Sequence, residues 1–337
     1  MKKSLLFTAI LFIVALVLAG CGSKSQEEVI EDLSKKTEQM KSYKLTAKMT
    51  FESGEKPQTY HVEVWHKKPS YYRIKIENEN EEQNQIILRN DDGVFVLTPA
   101  LNKSFRFQSD WPENYSQIYL YESLVNDVLN DKERTFKAKE DAYVFRTKTN
   151  YQNKNLFKQE ITFTKKKLEP KKIKVMDQDM NVLVTADFKN VEFNVDFDDD
   201  AFDMDRNMTS AKLEIPTMAE TKQKELQPLY PEYTAETTIA EEKEVERNGE
   251  KQLVLTYKGD KKSFTLIQKK ADVSVEASAP VQFAAGEPVD LGFVVGVKTG
   301  DTISWTYNGI DFLLASKDLD DEEMLAVARS VQGVAEK

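Results

Sequence analysis

Val64-Trp65-His66-Lys67-Lys68-Pro69-Ser70-Tyr71-Tyr72-Arg73-Ile74 is the stretch on which the fold turns. Before it, Tyr60, Val62 and Val64 place apolar side chains at every second position; after the break, Tyr72, Ile74 and Ile76 do the same. Period two marks a strand with one buried face, because successive side chains leave opposite sides of the pleat. Two such strands joined by a short basic, proline-containing turn predict an antiparallel hairpin.

The pattern continues in both directions. Upstream, Tyr43, Leu45, Ala47, Met49 and Phe51 alternate until Ser53-Gly54-Glu55-Lys56-Pro57 breaks the run. Downstream, strands at 85–89 and 94–98 flank Asn90-Asp91-Asp92-Gly93, a strong hairpin turn, and 104–108 adds a short strand. Further strands are predicted at 142–149, 157–164, 171–176 and 182–195. Helical spacing appears twice. Val29, Ile30, Leu33, Thr37 and Met40 mark 27–40; Ile118, Tyr121, Leu124, Val125, Val128 and Leu129 mark 113–130. About ten hairpin-linked strands with two helices argue for an antiparallel α+β domain over 27–205, not for alternating βαβ units.

Composition changes after Asp205. Residues 206–227 read as a polar linker with room for a short helix. Residues 228–337 form a second, smaller α+β domain, with strands at 251–258, 263–269, 289–297, 302–307 and 310–316. Asn308-Gly309 joins the last two as a tight hairpin. A helix over about 321–331 has Asp320 at its N-cap and Glu323 three positions on, a capping box in aspartate form. A length of 337 residues suits two domains.

The N-terminus reads differently. Lys2 and Lys3 precede an apolar run over 5–18, then Leu18-Ala19-Gly20-Cys21. This is a charged region, an apolar region and a small-residue cleavage site. The run is shorter than the roughly 20 residues a spanning helix needs. Leu-Ala-Gly-Cys resembles the bacterial lipobox, and Cys21 is the only cysteine in the chain. The resemblance implies that residues 1–20 are removed and that Cys21 carries acyl chains, with 21–26 as a tether. Two chains give stable anchoring, at roughly 0.8 kcal/mol per buried CH2. The implied location is the extracytoplasmic face of the cell membrane. The formal charge of −10 argues against nucleic acid as a partner. It also keeps the body off anionic lipid unless the anchor holds it there.

Catalytic and metal signatures do not assemble. His61 and His66 are the only histidines. An odd spacing on one strand sends them to opposite faces, and both read as surface residues. There is no H-E-x-x-H, no G-x-S-x-G and no glycine-rich loop between a strand and a helix. The acidic run 196–203 reads as a solvated strand end pinned by Phe197 and Phe202, with calcium as the alternative. The charge run 241–247 reads as an exposed turn or strand edge. No enzyme class, cofactor or metal follows from these residues.

The 64–74 stretch resembles a recurring element of the bacterial lipoprotein-carrier superfamily that includes LolA, LolB and RseB. There an aromatic strand runs through a basic-proline turn into an aromatic-Arg strand. Asn90 to Pro99 resembles the next hairpin of that superfamily, followed by Asn102-Lys103-Ser104-Phe105. The 305–316 and 322–330 segments resemble the end of the small domain in RseB-like proteins. The whole is most similar to the YdcC-like sporulation lipoproteins of Gram-positive bacteria, a group related to a lipoprotein needed for clostridial spore germination. The resemblance implies a curved antiparallel half-barrel with lid helices over a cavity that receives acyl chains. Strand alternation and the helix stripe then name the cavity candidates: Tyr60, Val62, Val64, Tyr72, Ile74, Ile76, Val94, Val96, Phe105, Phe107, Leu124 and Val128. On periodicity alone, the same residues pack a solid core. Two functions follow. One is a lipid- or lipoprotein-binding module; the other is a tethered regulator or scaffold that binds another envelope or sporulation protein without a lipid.

Overall fold

The computed structural model describes residues 24–331, except 53–56, 79–83, 110, 112–115, 215–227, 248, 273–280 and 293. Residues 1–20, read above as a signal peptide, and Cys21 lie outside the described residues.

The first sheet is built from β1 (Ser42–Phe51), β2 (Gln58–Lys67), β3 (Tyr71–Asn78), β4 (Asn84–Asn90), β5 (Gly93–Thr98), β6 (Lys103–Phe107), β7 (Thr135–Ala138), β8 (Ala142–Lys148), β9 (Lys158–Thr164), β10 (Pro170–Met176) and β11 (Val182–Phe193). Their spatial order is β6-β5-β4-β3-β2-β1-β11-β10-β9-β8-β7, and the ends do not meet, so the sheet is open. Neighbours pair antiparallel, with Val64 opposite Ile74 and Tyr72 opposite Arg89. Register shifts between Lys44 and Thr46 and between Val175 and Met176 bend the middle strands. The curved, open α+β architecture agrees with the half-barrel expected from sequence.

Helices α1 (Gln26–Gln39) and α2 (Tyr121–Asn130) cover the concave face. Ser25 and Glu28 form a capping box at the start of α1, and Val29 and Leu33 are buried. At its other end, Lys68 Nζ donates to the carbonyls of Thr37 at 2.7 Å and Glu38 at 2.8 Å. The basic turn of the 64–74 stretch thus satisfies carbonyls that the helix end leaves open. Helix α2 starts at Tyr121, later than the spacing from 113 predicts. Ile118, Tyr119 and Leu120 are buried in the turn that leads into it.

Helix α3 (Met204–Glu214) starts two residues before the 206–227 stretch read as a linker with room for a short helix and runs into it. Met208 and Ala211 pack on Ile86, Leu88, Phe95 and Leu97. Strands β4 and β5 are therefore buried on both faces. The signal was weak because only Met204, Met208, Ala211 and the exposed Leu213 break a polar sequence.

The second sheet has the order β12-β13-β14-β19-β18-β17-β16. Its strands are β12 (Thr238–Arg247), β13 (Glu250–Lys258), β14 (Ser263–Lys270), β16 (Glu287–Asp290), β17 (Val295–Thr299), β18 (Thr302–Tyr307) and β19 (Ile310–Ala315). Helix α4 (Asp321–Arg329), with its Asp320–Glu323 capping box, covers one face through Met324, Leu325, Val327 and Ala328. The 241–247 charge run lies in the exposed edge strand β12. Residues 289–297 are not one strand. Gly292 adopts φ +88° between β16 and β17, and a Cβ there would meet the Phe51 ring at 3.2 Å.

The two sheets share one apolar core. Gln85 accepts from Val295 N at 2.7 Å and donates to Val295 O at 3.3 Å. A three-residue strand, β15 (Val281–Phe283), leaves the second module and pairs parallel with β6 at the end of the first sheet.

Candidate functional site

The concave face of the first sheet is where the sequence places its candidates. All twelve share one cluster with the covering helices, eleven of them buried and Phe105 partly buried against it. Alternation therefore selected one continuous face. The arrangement is closed, however. Val64, Ile74, Leu124 and Val128 have 0% exposure. Tyr60, Val62, Val94, Val96 and Phe107 are buried nearly as deeply, and Tyr72 and Ile76 lie nearer the rim.

Aromatic rings fill the space beside α2. Tyr121 meets Phe193 edge-on at 5.1 Å, Phe163 at 6.3 Å and Tyr43 at 6.2 Å. Phe145 continues the array to Phe163 at 6.3 Å and Phe136 at 5.0 Å. Such edge-to-face rings pack at interior density and add to the burial of their own area. None of these rings is among the twelve candidates. The strands of Tyr43, Phe145, Phe163 and Phe193 were legible; that of Phe136, β7, was not, nor was how far α2 would reach across them.

Two buried polar networks fix α2. At its first turn, His66 Nε2 lies 2.9 Å from Glu122 Oε1, and Tyr43 Oη donates to Glu122 Oε2 at 2.8 Å. The same Tyr43 hydroxyl accepts from Tyr121 N at 3.3 Å. Helix α2 has no side-chain cap of its own, so a tyrosine from β1 supplies one. His66 Nδ1 lies 3.1 Å from Tyr71 O, and its ring stacks on Tyr72 at 4.5 Å. His66 is thus buried at 1% exposure, which corrects its reading as a surface residue; His61 is exposed on the opposite face. Burial and the Glu122 carboxylate push the Tyr43 hydroxyl well above its ordinary value.

Further along α2, Asp127 accepts from Ser116 Oγ at 2.6 Å and from Gln159 Nε2 at 2.6 Å. Tyr151 Oη donates in turn to Gln159 Oε1. Burial raises the Asp127 carboxyl to about 6 despite these two donors. Sequence reasoning missed both networks; the apolar stripe of α2 drew attention to Leu124 and Val128, and Glu122 and Asp127 sit between the stripe residues.

The acidic run is held by rings. Phe197 stacks on Trp65 at 5.4 Å and meets Phe202 edge-on at 5.3 Å. Arg206 pairs with Asp198 at 3.1 Å and with Asp200. Among the described residues, no three His, Cys, Asp or Glu side chains group as metal ligands. Also among the described residues, no helix is long and apolar enough to cross a membrane.

An open, curved half-barrel with helices packed into its concave face, joined to a smaller α+β sheet, defines the class of protein. The family model for sporulation protein YdcC-like proteins matches residues 1–202. Over 337 residues the chain is 49% identical to sporulation protein YdcC of Bacillus subtilis (strain 168), covering 100% of this chain and 99% of that one. The chain belongs to the YdcC-like sporulation protein family. Solved structures to which it is similar include a chain of the Pseudomonas aeruginosa MucA/MucB complex, with TM-score 0.33, 11% identity, and 91% of this chain and 98% of that one covered. Another is a LolA superfamily protein from Nitrosomonas europaea, with TM-score 0.31, 11% identity, and 55% and 100% covered. Likeness at these scores says nothing about ligands.

Proposed function

We propose that the chain is a lipid-anchored, non-enzymatic member of its sporulation family that acts by binding another envelope protein. Its place is the extracytoplasmic face of the membrane, with acylated Cys21 as the tether. The anchor is supported by the order of Lys2, Lys3, the apolar run and Leu18-Ala19-Gly20-Cys21.

One observation carries the choice of a protein partner over an acyl chain. Val64, Ile74, Leu124 and Val128 have no accessible surface. A void wide enough for one water would give such residues some, and an alkyl chain is wider than a water. Taking up a lipid there requires α2 to leave the sheet. That movement breaks the Glu122 and Asp127 networks and exposes apolar area at about 25 cal/mol per Å². A tethered binder needs no such movement, and an acylated protein does not shuttle between membranes at low cost.

Crosslinking at the native membrane tests the proposal. Recovery of one protein partner, in the same amount after acyl chains are labelled, is the expected result. Recovery of many lipoproteins through their labelled acyl groups would replace this account with the carrier.

A further inference from the structure

The outer face of the first sheet, opposite the filled one, carries a groove of about 590 Å³ between β1–β3, β11 and helix α3. Ligand sites of roughly 300–1,000 Å³ are typical for small molecules. Its chemistry is unlike that of the concave face, because the sheet alternates and the groove takes the polar set.

Arg73 is the built element. It is only 8% exposed. Its Nε donates to Asn207 Oδ1 at 2.6 Å, its Nη1 donates to Glu63 Oε1 at 2.6 Å, and its plane lies over Trp65 at 4.4 Å. These contacts fix the guanidinium in place before anything binds. Nη2 has no partner among the described residues and is not sealed from solvent, and Arg73 lines the groove. A side chain nine-tenths buried therefore keeps one pair of N–H donors for the groove.

The charge balance points the same way. The groove's carboxylates are already held. Glu63 is held by Arg73 at 2.6 Å and Lys44 at 3.4 Å; Glu77 and Glu214 share Lys75 at 2.8 and 2.6 Å. Lys189 is exposed on the same face, two strands from Glu63 in register through Thr46, and makes no ion pair among the described residues. In a chain of formal charge −10, this groove presents a fixed guanidinium edge and an uncommitted ammonium. A fixed guanidinium nitrogen and an ammonium lining the same groove are donors that suit carboxylate or phosphate oxygens.

We propose that this outer groove binds a small ligand through a carboxylate or phosphate group, with Arg73 Nη2 and Lys189 Nζ as the anion contacts. Asn207 and Glu63 are positioning residues that hold the guanidinium. The proposal is independent of what occupies the concave face.

Titration calorimetry on the full chain in detergent tests it, with inorganic phosphate and citrate as separate probes. The expected result is saturable binding of at least one probe, and the tighter probe identifies the oxyanion class. Lys189→Glu weakens that binding by about tenfold or more, whereas Lys251→Glu on the distant β13 changes it less than about twofold. Arg73→Lys keeps the charge and loses the fixed Nη2 donors, and weakens binding similarly. Should Arg73→Lys not fold, the exposed Lys189→Glu still decides. No saturable binding of either probe to folded protein overturns the proposal. Equal weakening by Lys189→Glu and Lys251→Glu overturns it too, because that is the signature of general charge alone.

Discussion

His66 and Glu122 join the sheet to its lid: Nε2 of one lies 2.9 Å from Oε1 of the other, with side-chain exposures of 2% and 17%. Both ring nitrogens of His66 face oxygen acceptors, Tyr71 O on one side and Glu122 on the other. Glu122 Oε1 is buried, and the His66 ring nitrogen is the polar atom that faces it. Removing either partner takes away one of the other's two polar contacts in a largely buried site. Glu122→Ala is expected to destabilise the fold by about 1–3 kcal/mol, read from urea denaturation. The His66→Ala/Glu122→Ala double variant should lose less than the two single losses added together. Strict additivity would mean that the contact contributes nothing.

Asp127 gives a pH dependence with a definite sign. Its carboxyl is raised from 3.8 to about 6 in the folded chain. The folded state therefore favours the protonated form. The contribution is fully present below about pH 4 and is lost as pH rises through 6, amounting to about 3 kcal/mol at most across that window. Asp127→Asn cannot ionise, so it should lack this part of the slope and gain on the parent chain between pH 4.5 and 7.5. Urea midpoints at both pH values check this; parallel pH profiles for the two proteins would contradict it.

A filled concave face predicts cavity-sized penalties. Leu124→Ala should cost about 2–5 kcal/mol, as for a close-packed interior leucine. If Leu124 lined an open acyl pocket, its truncation would widen an existing void and cost well under that range. Equilibrium denaturation separates the two.

The tether has its own test. Cys21→Ser should move the protein from the membrane fraction to the soluble extracytoplasmic fraction, because no acyl chain can be attached. A variant that remains with the membrane after a high-salt wash would show that something other than Cys21 holds it.

Much of this architecture could be read along the chain, and the reasons are local. Tyr60, Val62, Val64, Tyr72, Ile74 and Ile76 alternate cleanly, so their shared face was legible before any coordinates. The capping box of Asp320 and Glu323 was legible for the same reason, since it involves neighbours three residues apart. What escaped depends on distant partners. His66 looked exposed because nothing near it in sequence reveals that Tyr43, Tyr72 and Glu122 close around it. Helix α3 looked like a linker because its few apolar residues matter only where the outer face of β4 and β5 waits for them. The split at Gly292 escaped because the 289–297 run is apolar at most positions and hides the left-handed residue in its middle. Whether α2 would leave a hollow was beyond periodicity, which fixes faces and not volumes.

Native mass spectrometry of the chain lacking residues 1–21 tests most directly that the concave face is occupied by the protein's own side chains. The account predicts the bare polypeptide mass, unchanged after incubation with fatty acid or an acylated peptide. A stoichiometric adduct of acyl-lipid mass that survives desalting, and that Leu124→Trp abolishes, would contradict it.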